Sequence, residues 1–275
     1  MDNQSLEERL QKNARDIEEF RIFDDIFMSA VFDCQIEETE YLLRVVLGKP
    51  DLKVITSKTQ YTITNEYGHE VRLDVRAIDN VNRAYNVEVQ RQKYGSGVRR
   101  ARFNGAMLDR TLLGKGQNYD NLPDRYTVFI TEKDFFEGGL PTYHAEYKID
   151  ELNNKSLGDG SYIVYVNGQY RNNESPIGRL MHDFFCSDPE EMLTPILKNR
   201  VKYLKQTERG QLEVCDVIER RVKEELEEAT REAVEKNKIK TATNLLIVGN
   251  ITPEQIASCV GLPLETVLKL KTKMA

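Results

Sequence analysis

Asp74, Glu88 and Gln90 could do chemistry together. They lie in the stretch Val71–Gln90, VRLDVRAIDNVNRAYNVEVQ. In its first run Val71, Leu73, Val75 and Ala77 alternate with Arg72, Asp74 and Arg76. In its second, Tyr85, Val87 and Val89 alternate with Asn86, Glu88 and Gln90. Period-two alternation predicts two half-buried strands, and Asp79-Asn80-Val81-Asn82 predicts the turn between them. A hairpin centred on Val81 sets Asp74 opposite Glu88, with Cβ atoms roughly 4.5–5.5 Å apart. Two carboxylates at that range repel unless something lies between them. A hard divalent cation turns the repulsion into coordination, because Mg²⁺ is held by one or two carboxylates together with waters and substrate phosphates. Gln90, on the same side as Glu88, could position a water beside the ion. The plainer reading is a solvated sheet face, with Arg72 and Arg76 neutralising Asp74.

Charge distribution favours the chemical reading. The net charge of −6 excludes a bulk polycation. From Gly68 to Lys115, however, ten Lys and Arg stand against five Asp and Glu, whereas the first 67 residues carry eight against fourteen. A basic zone around an acidic pair suits phosphodiester processing: cations hold phosphates while carboxylates hold a metal. No apolar run approaches the ~18 residues of a membrane helix. The N-terminus, MDNQSLEERLQKNARDIEEF, is charged and lacks an apolar signal region. Cys34, Cys186, Cys215 and Cys259 are widely spaced and form no C-x-x-C. They read as reduced, partly buried thiols in a cytoplasmic protein rather than a disulfide frame or zinc site.

The elements that must position the hairpin follow in chain order. Phe20–Phe32 is aromatic-rich and expected on the core. Ile36–Leu47 predicts an amphipathic helix stopped by Gly48 and Pro50, with Glu37, Glu38 and Glu40 on it. Leu52–Thr64 predicts a strand before the hairpin. Ser96–Leu113 predicts a helix with Arg99, Arg100, Arg102 and Arg110 beside its apolar side. Arginines there could clamp phosphate or form a solvated face. Arg99 and Arg102 share a face and are expected to act together, with Arg100 rotated away from them. Tyr126–Thr131 predicts a buried strand. A helical crossover from the hairpin to that strand implies a mixed α/β sheet with helices on its faces. Tyr143–Ile149 and Ser161–Tyr170 read as further strands, and Pro176–Phe185 as a helix. His182 and Asp183 on that helix are tempting acid–base partners, but helix neighbours face different ways.

The tail begins near Gln206. Leu212–Lys238 reads as a long charged helix. Thr252-Pro253-Glu254-Gln255 supplies an N-cap, a first-turn proline and an N3 glutamine. Ile256, Cys259 and Val260 form the apolar side of that helix, and Leu264, Val267, Leu268 and Leu270 a second one after Gly261. The pair is compatible with a helix-turn-helix reader. Glu265, Thr266 and Lys269 are a poor set for base edges, which favours a packing or oligomerising module. The organisation expected is a main domain over 1–205 and a helical tail over 206–275.

Several segments together resemble the PD-(D/E)XK nuclease family of transposase-like proteins, also called recombination-promoting nucleases. They are VRLDVRAID with YNVEVQRQ, VRRARFNGAMLD, LPDRYTVFITEKD, GDGSYIVYVNG, PIGRLMHDFFC and ITPEQIASCVGLPLETVLKL. The resemblance implies a restriction-endonuclease-like α/β fold, a mixed sheet flanked by helices, and metal-dependent DNA cleavage with Mg²⁺ or Mn²⁺. It makes Asp74 the first acid and Glu88 the second. It places Gln90 where lysine is more usual and Leu73 where the motif's name has proline. Glu40 is a match for an auxiliary acid that would join the metal. The implied partner is DNA, held by Arg99, Arg102 and Arg100, with self-association through the tail and a link to recombination or mobile elements. The competing function is a catalytically idle DNA-binding or regulatory protein with a vestigial site.

Overall fold

The computed structural model describes residues 3–64, 70–91 and 96–274. They form two compact units, Met1–Val217 and Ile218–Ala275.

In the first unit three helices precede the sheet: α1 (Asn3–Glu19), α2 (Asp25–Phe32) and α3 (Ile36–Leu47). The aromatic run supplies core, with Phe23, Phe27 and Phe32 almost wholly buried. Each such side chain contributes roughly 1.5–3 kcal/mol. Gly48 ends α3 in the left-handed conformation that glycine adopts without steric cost.

The hairpin strands are β2 (Val71–Asp79) and β3 (Ala84–Gln90), and β1 (Val54–Ile63) pairs antiparallel with β2. Helix α4 (Val98–Leu112) then carries the chain to β4 (Arg125–Thr131), parallel to β3. After β5 (Thr142–Ala145) the chain makes a short ribbon of β6 (Lys148–Ile149) and β7 (Lys155–Ser156), then enters β8 (Ser161–Asn167). The six-stranded sheet has the order β1-β2-β3-β4-β8-β5 and is mixed, as the helical crossover implies. The strand expected over Tyr143–Ile149 is broken: β5 stops at Ala145 and the next pairing belongs to the ribbon. Helices α5 (Pro176–Phe185) and α6 (Pro195–Gln206) complete this layer.

The expectation of a half-buried β3 is wrong. Asn86 and Glu88 are as fully buried as Tyr85 and Val87. Helix α4 covers their face, with Ala101 packed against Phe129 and Tyr165. Period two sorted the two faces correctly, but it could not report that a polar face would be roofed.

Helix α7 (Glu208–Val248) is longer than its charged stretch suggested. In the second unit, α8 (Pro253–Val260) and α9 (Leu264–Met274) close a small core of Ala242, Ile256, Ala257, Leu262 and Val267. The Thr252–Gln255 capping box forms as its spacing predicts. Cys259, expected on the apolar side of α8, is exposed, and Ala257 takes the buried position. Cys34 is exposed too, so two of the thiols expected to be partly buried are not.

Candidate active site

The β2–β3 register pairs Ile78 with Ala84 and Val75 with Val87, so it is centred on Val81. One step further along, Asp74 lies beside Glu88. The Val89 N–H donates to Asp74 Oδ2 at 2.9 Å, and the Asp74 N–H in turn reaches the Glu88 carboxylate. Each acid is therefore anchored to the other's strand.

Glu88 is wholly buried and richly held. Asn86 Nδ2 and Asn104 Nδ2 donate to its Oε1 at 3.0 and 3.2 Å. Arg100 Nη2 donates to its Oε2 at 3.2 Å. Asn86 Oδ1, also buried, has no hydrogen-bond partner among the described residues.

A third acid approaches from α2. Asp25 opens that helix, and Gln60 Nε2 donates to its Oδ1 at 3.0 Å. Gln60 sits between the Thr59–Val75 and Tyr61–Leu73 pairs, level with Asp74. Its backbone has φ +52°, the left-handed region that L side chains rarely adopt. Such strain persists where the surroundings enforce it and often marks a site.

Burial, and after it the Asp25 carboxylate, push Asp74 up to about 7. Burial, and after it the Asp74 charge, push Glu88 well above the ordinary carboxylate range. Desolvation and like charge both favour the protonated forms. A cation seated among these acids would reverse that preference, so proton and metal compete for the same oxygens.

The other candidate residues are distributed as follows. Gln90 ends β3 half-buried on the Glu88 face, opposite Thr131. Glu40 is not brought to the pair. It accepts the Val54 N–H at 2.9 Å and pairs with Arg44 and Lys53. Val54 is level with Asp79, whereas Asp74 is level with Gln60. Six residues of strand, about 20 Å, separate those levels. Arg99 and Arg102 share a face, as expected, and line a cavity of about 250 Å³. Arg100 turns the other way, onto Glu88. With Arg72 and Arg99 it lines a second cavity of about 420 Å³ that includes Asn104. Arginine therefore faces both the acids and the space beside them.

His182 and Asp183 do meet, against the helix-neighbour expectation: His182 Nδ1 lies 3.2 Å from Asp183 Oδ1 and 3.4 Å from Cys186 Sγ. These three residues form a ligand-sized cluster. Asp183 is committed elsewhere, accepting the Leu193 and Thr194 N–H groups at 2.7 and 2.8 Å. Burial pushes the Cys186 thiol up to about 11, away from the thiolate a metal needs. The cluster ties α5 to the entrance of α6.

Asp25 was missed in the sequence because it stands in an aromatic run read only as core. The available signal was its position: an acid opening an otherwise apolar helix, beside Asp24.

Residues 41–174 match the model of the PD-(D/E)XK nuclease family transposase. That stretch, just under half of the chain, is similar to this family. Asp74, Glu88, Gln90 and α4 fall inside the matched stretch, and Asp25 precedes it. The mixed six-stranded sheet flanked by helices is the restriction-endonuclease-like architecture of PD-(D/E)XK proteins. No curated protein and no solved structure matches the chain.

Proposed function

We propose that this protein is a divalent-metal-dependent DNA endonuclease. The observation that carries the reading is the opposed Asp74–Glu88 pair, Glu88 wholly buried and Asp74 partly so, with the Asp25 charge felt at Asp74, adjoining an arginine-lined cavity. The donor set fits a hard cation. All three acids offer carboxylate oxygen, and Asn86 Oδ1 is a further buried oxygen with no partner among the described residues. Oxygen-only sites suit Mg²⁺ or Mn²⁺.

When bound, the ion would lower the pKa of a coordinated water and offset charge on the leaving oxygen. The protein's own part is positional. Asp74 and Glu88 would hold the ion, and Asp25, held by Gln60, adds negative charge that is felt at Asp74. Gln90, on the Glu88 face, would orient a water beside the ion by hydrogen bond, and its amide would not act as a base. Arg72, Arg99 and Arg100 hold the phosphate, and Arg102 supports the strand beyond it.

One observation favours the competing idle-site reading. Glu88 already has Asn86, Asn104 and Arg100 as donors, a set that could stabilise it without metal. The two readings part in one experiment: supercoiled plasmid incubated with the purified protein in Mg²⁺ or in EDTA. Mg²⁺-dependent nicking is expected, whereas DNA binding without cleavage in Mg²⁺ would favour the idle site.

Recombination is the setting we infer from the family's transposase description, in the cytoplasm; among the described residues no helix is long and apolar enough to cross a membrane. Self-association through the tail is inferred from Val222 and Leu226, exposed four residues apart on α7. A monomer mass by light scattering at working concentration would exclude it.

A further inference from the structure

Helix α4 has a cavity on each flank, and Arg99 lines both. The 420 Å³ cavity contains Arg100 and Asn104, which touch Glu88. The 250 Å³ cavity on the other flank belongs to none of the chemistry above. Its apolar lining is Val98, Ala145 and Ile163. Tyr147, more than half exposed, forms a wall, and Arg99 and Arg102 stand at the rim. Glu146 also lines it but is engaged by Ser156 Oγ at 2.9 Å.

Three features identify the occupant. The volume lies just below the ~300–1,000 Å³ of sites for drug-sized ligands, which suits a single ring system. An aromatic ring and guanidinium planes beside apolar side chains are what an unstacked nucleobase packs on. The rim cations are uncommitted as well: among the described residues no ion pair holds Arg99 or Arg102, whereas Arg100 and Arg125 are paired with Glu88 and Asp109. Phosphates flanking a base would supply the missing anions.

Position connects this cavity to the acids. Asn86 pairs with Thr127, Thr127 with Ile163, and Ile163 with Ala145, so one row crosses the sheet on the α4 face. Asn86, at the near end, donates to Glu88. Ile163 lies two strand spacings away, about 10 Å. One DNA strand can occupy both places, crossing at Arg99.

We propose that this cavity receives one unpaired nucleobase of the strand whose phosphate lies at Asp74 and Glu88. DNA with an unpaired nucleotide beside the cut is then the preferred substrate. The proposal rests on the DNA-cleaving reading, but its test does not need cleavage. The full chain, in EDTA, is titrated into a fluorescent duplex and into the same duplex carrying one unpaired nucleotide. Parent protein is expected to bind the second roughly tenfold more tightly, the scale of one stacked base. Tyr147→Ala removes the wall, and Ala145→Trp fills the cavity from an exposed position on β5. Both variants should lose the preference while binding the paired duplex as the parent does. Equal affinity of the parent for the two DNAs, or a preference that survives both substitutions, overturns the base pocket and leaves the nuclease reading standing. Failure to bind either DNA in EDTA also overturns the base pocket, while the nuclease reading is decided separately by nicking in Mg²⁺.

Discussion

Arg100 Nη2 donates to Glu88 Oε2 at 3.2 Å, so a guanidinium already contacts a carboxylate that a metal would use. The arginine side chain is 44% exposed, while Glu88 is completely buried. Arg100 can therefore swing into solvent or onto a phosphate, whereas Glu88 cannot follow. Removing Arg100 takes one donor from Glu88 Oε2 and removes a positive charge from the site. Arg100→Ala should bind Mn²⁺ a few-fold more tightly in calorimetry, since a half-exposed pair is worth at most ~1 kcal/mol. It should also bind DNA less tightly. Unchanged or weaker Mn²⁺ binding would mean that Arg100 and the metal do not share Glu88.

The elevated Asp74 carboxyl has a consequence for stability. Its value rises from 3.8 to about 7 on folding, chiefly by burial and then by Asp25. Between those values the folded, metal-free chain keeps a proton that the unfolded chain has released. Stability should fall as pH rises across that window and level off above it. Asp74→Asn cannot ionise, yet its amide oxygen can still accept the Val89 N–H. In EDTA at pH 8 it should melt on the order of 5 °C above the parent, and the gap should close by pH 4. Mg²⁺ should raise the parent's Tm more at pH 8 than at pH 6, because binding displaces the proton. A variant that melts lower than the parent at pH 8 would contradict this.

Gly105 keeps α4 seated over the acids. A Cβ there would lie 2.1 Å from Arg125 Nη1. The guanidinium has little room to retreat, since Arg125 is buried and its Nε donates to Asp109 at 2.8 Å. Gly105→Ala should cost ~1–3 kcal/mol despite alanine's better helix propensity. Asn104, the adjoining residue, would shift with the helix, so activity should fall as well. Thermal melting and plasmid nicking measured on one preparation check both effects, and an unchanged Tm would show that the contact relaxes freely.

Gln60 separates strain from function. Its left-handed backbone is costly for any residue except glycine or, less so, asparagine. Gln60→Gly should relieve that cost while removing the amide that holds Asp25. We expect no loss of Tm but roughly tenfold slower Mg²⁺-dependent cleavage. Gln60→Ala loses the same amide and keeps the strain, so it should melt below Gln60→Gly. Equal Tm for the two variants, or parent-like activity in both, would remove Gln60 from the site.

Much of this arrangement was legible in the residues. Alternation located the hairpin, and the turn residues centred it on Val81, which was enough to oppose Asp74 and Glu88. Helical spacing separated Arg100 from Arg99 and Arg102. What spacing could not tell was which direction held the acids. The sequence reading ranked Arg99 and Arg102 first for the phosphate, yet Arg100 is the one that contacts Glu88. The identity of the third acid depends on long-range packing: Glu40 lies on a helix that packs over the far end of β1, and Asp25 arrives from a helix read only as core. His182 and Asp183 show the same limit, because their contact depends on rotamers set by the chain at Leu193 and Thr194.

The most direct test is plasmid nicking in Mg²⁺ by the parent, Asp74→Ala and Glu88→Ala, with melting curves to establish that each variant is folded. Parent protein should nick in Mg²⁺ and stop in EDTA, and both folded variants should be inactive under either condition. A folded variant of either kind that nicks at the parent's rate would contradict the assignment of Asp74 and Glu88 as the metal-holding pair.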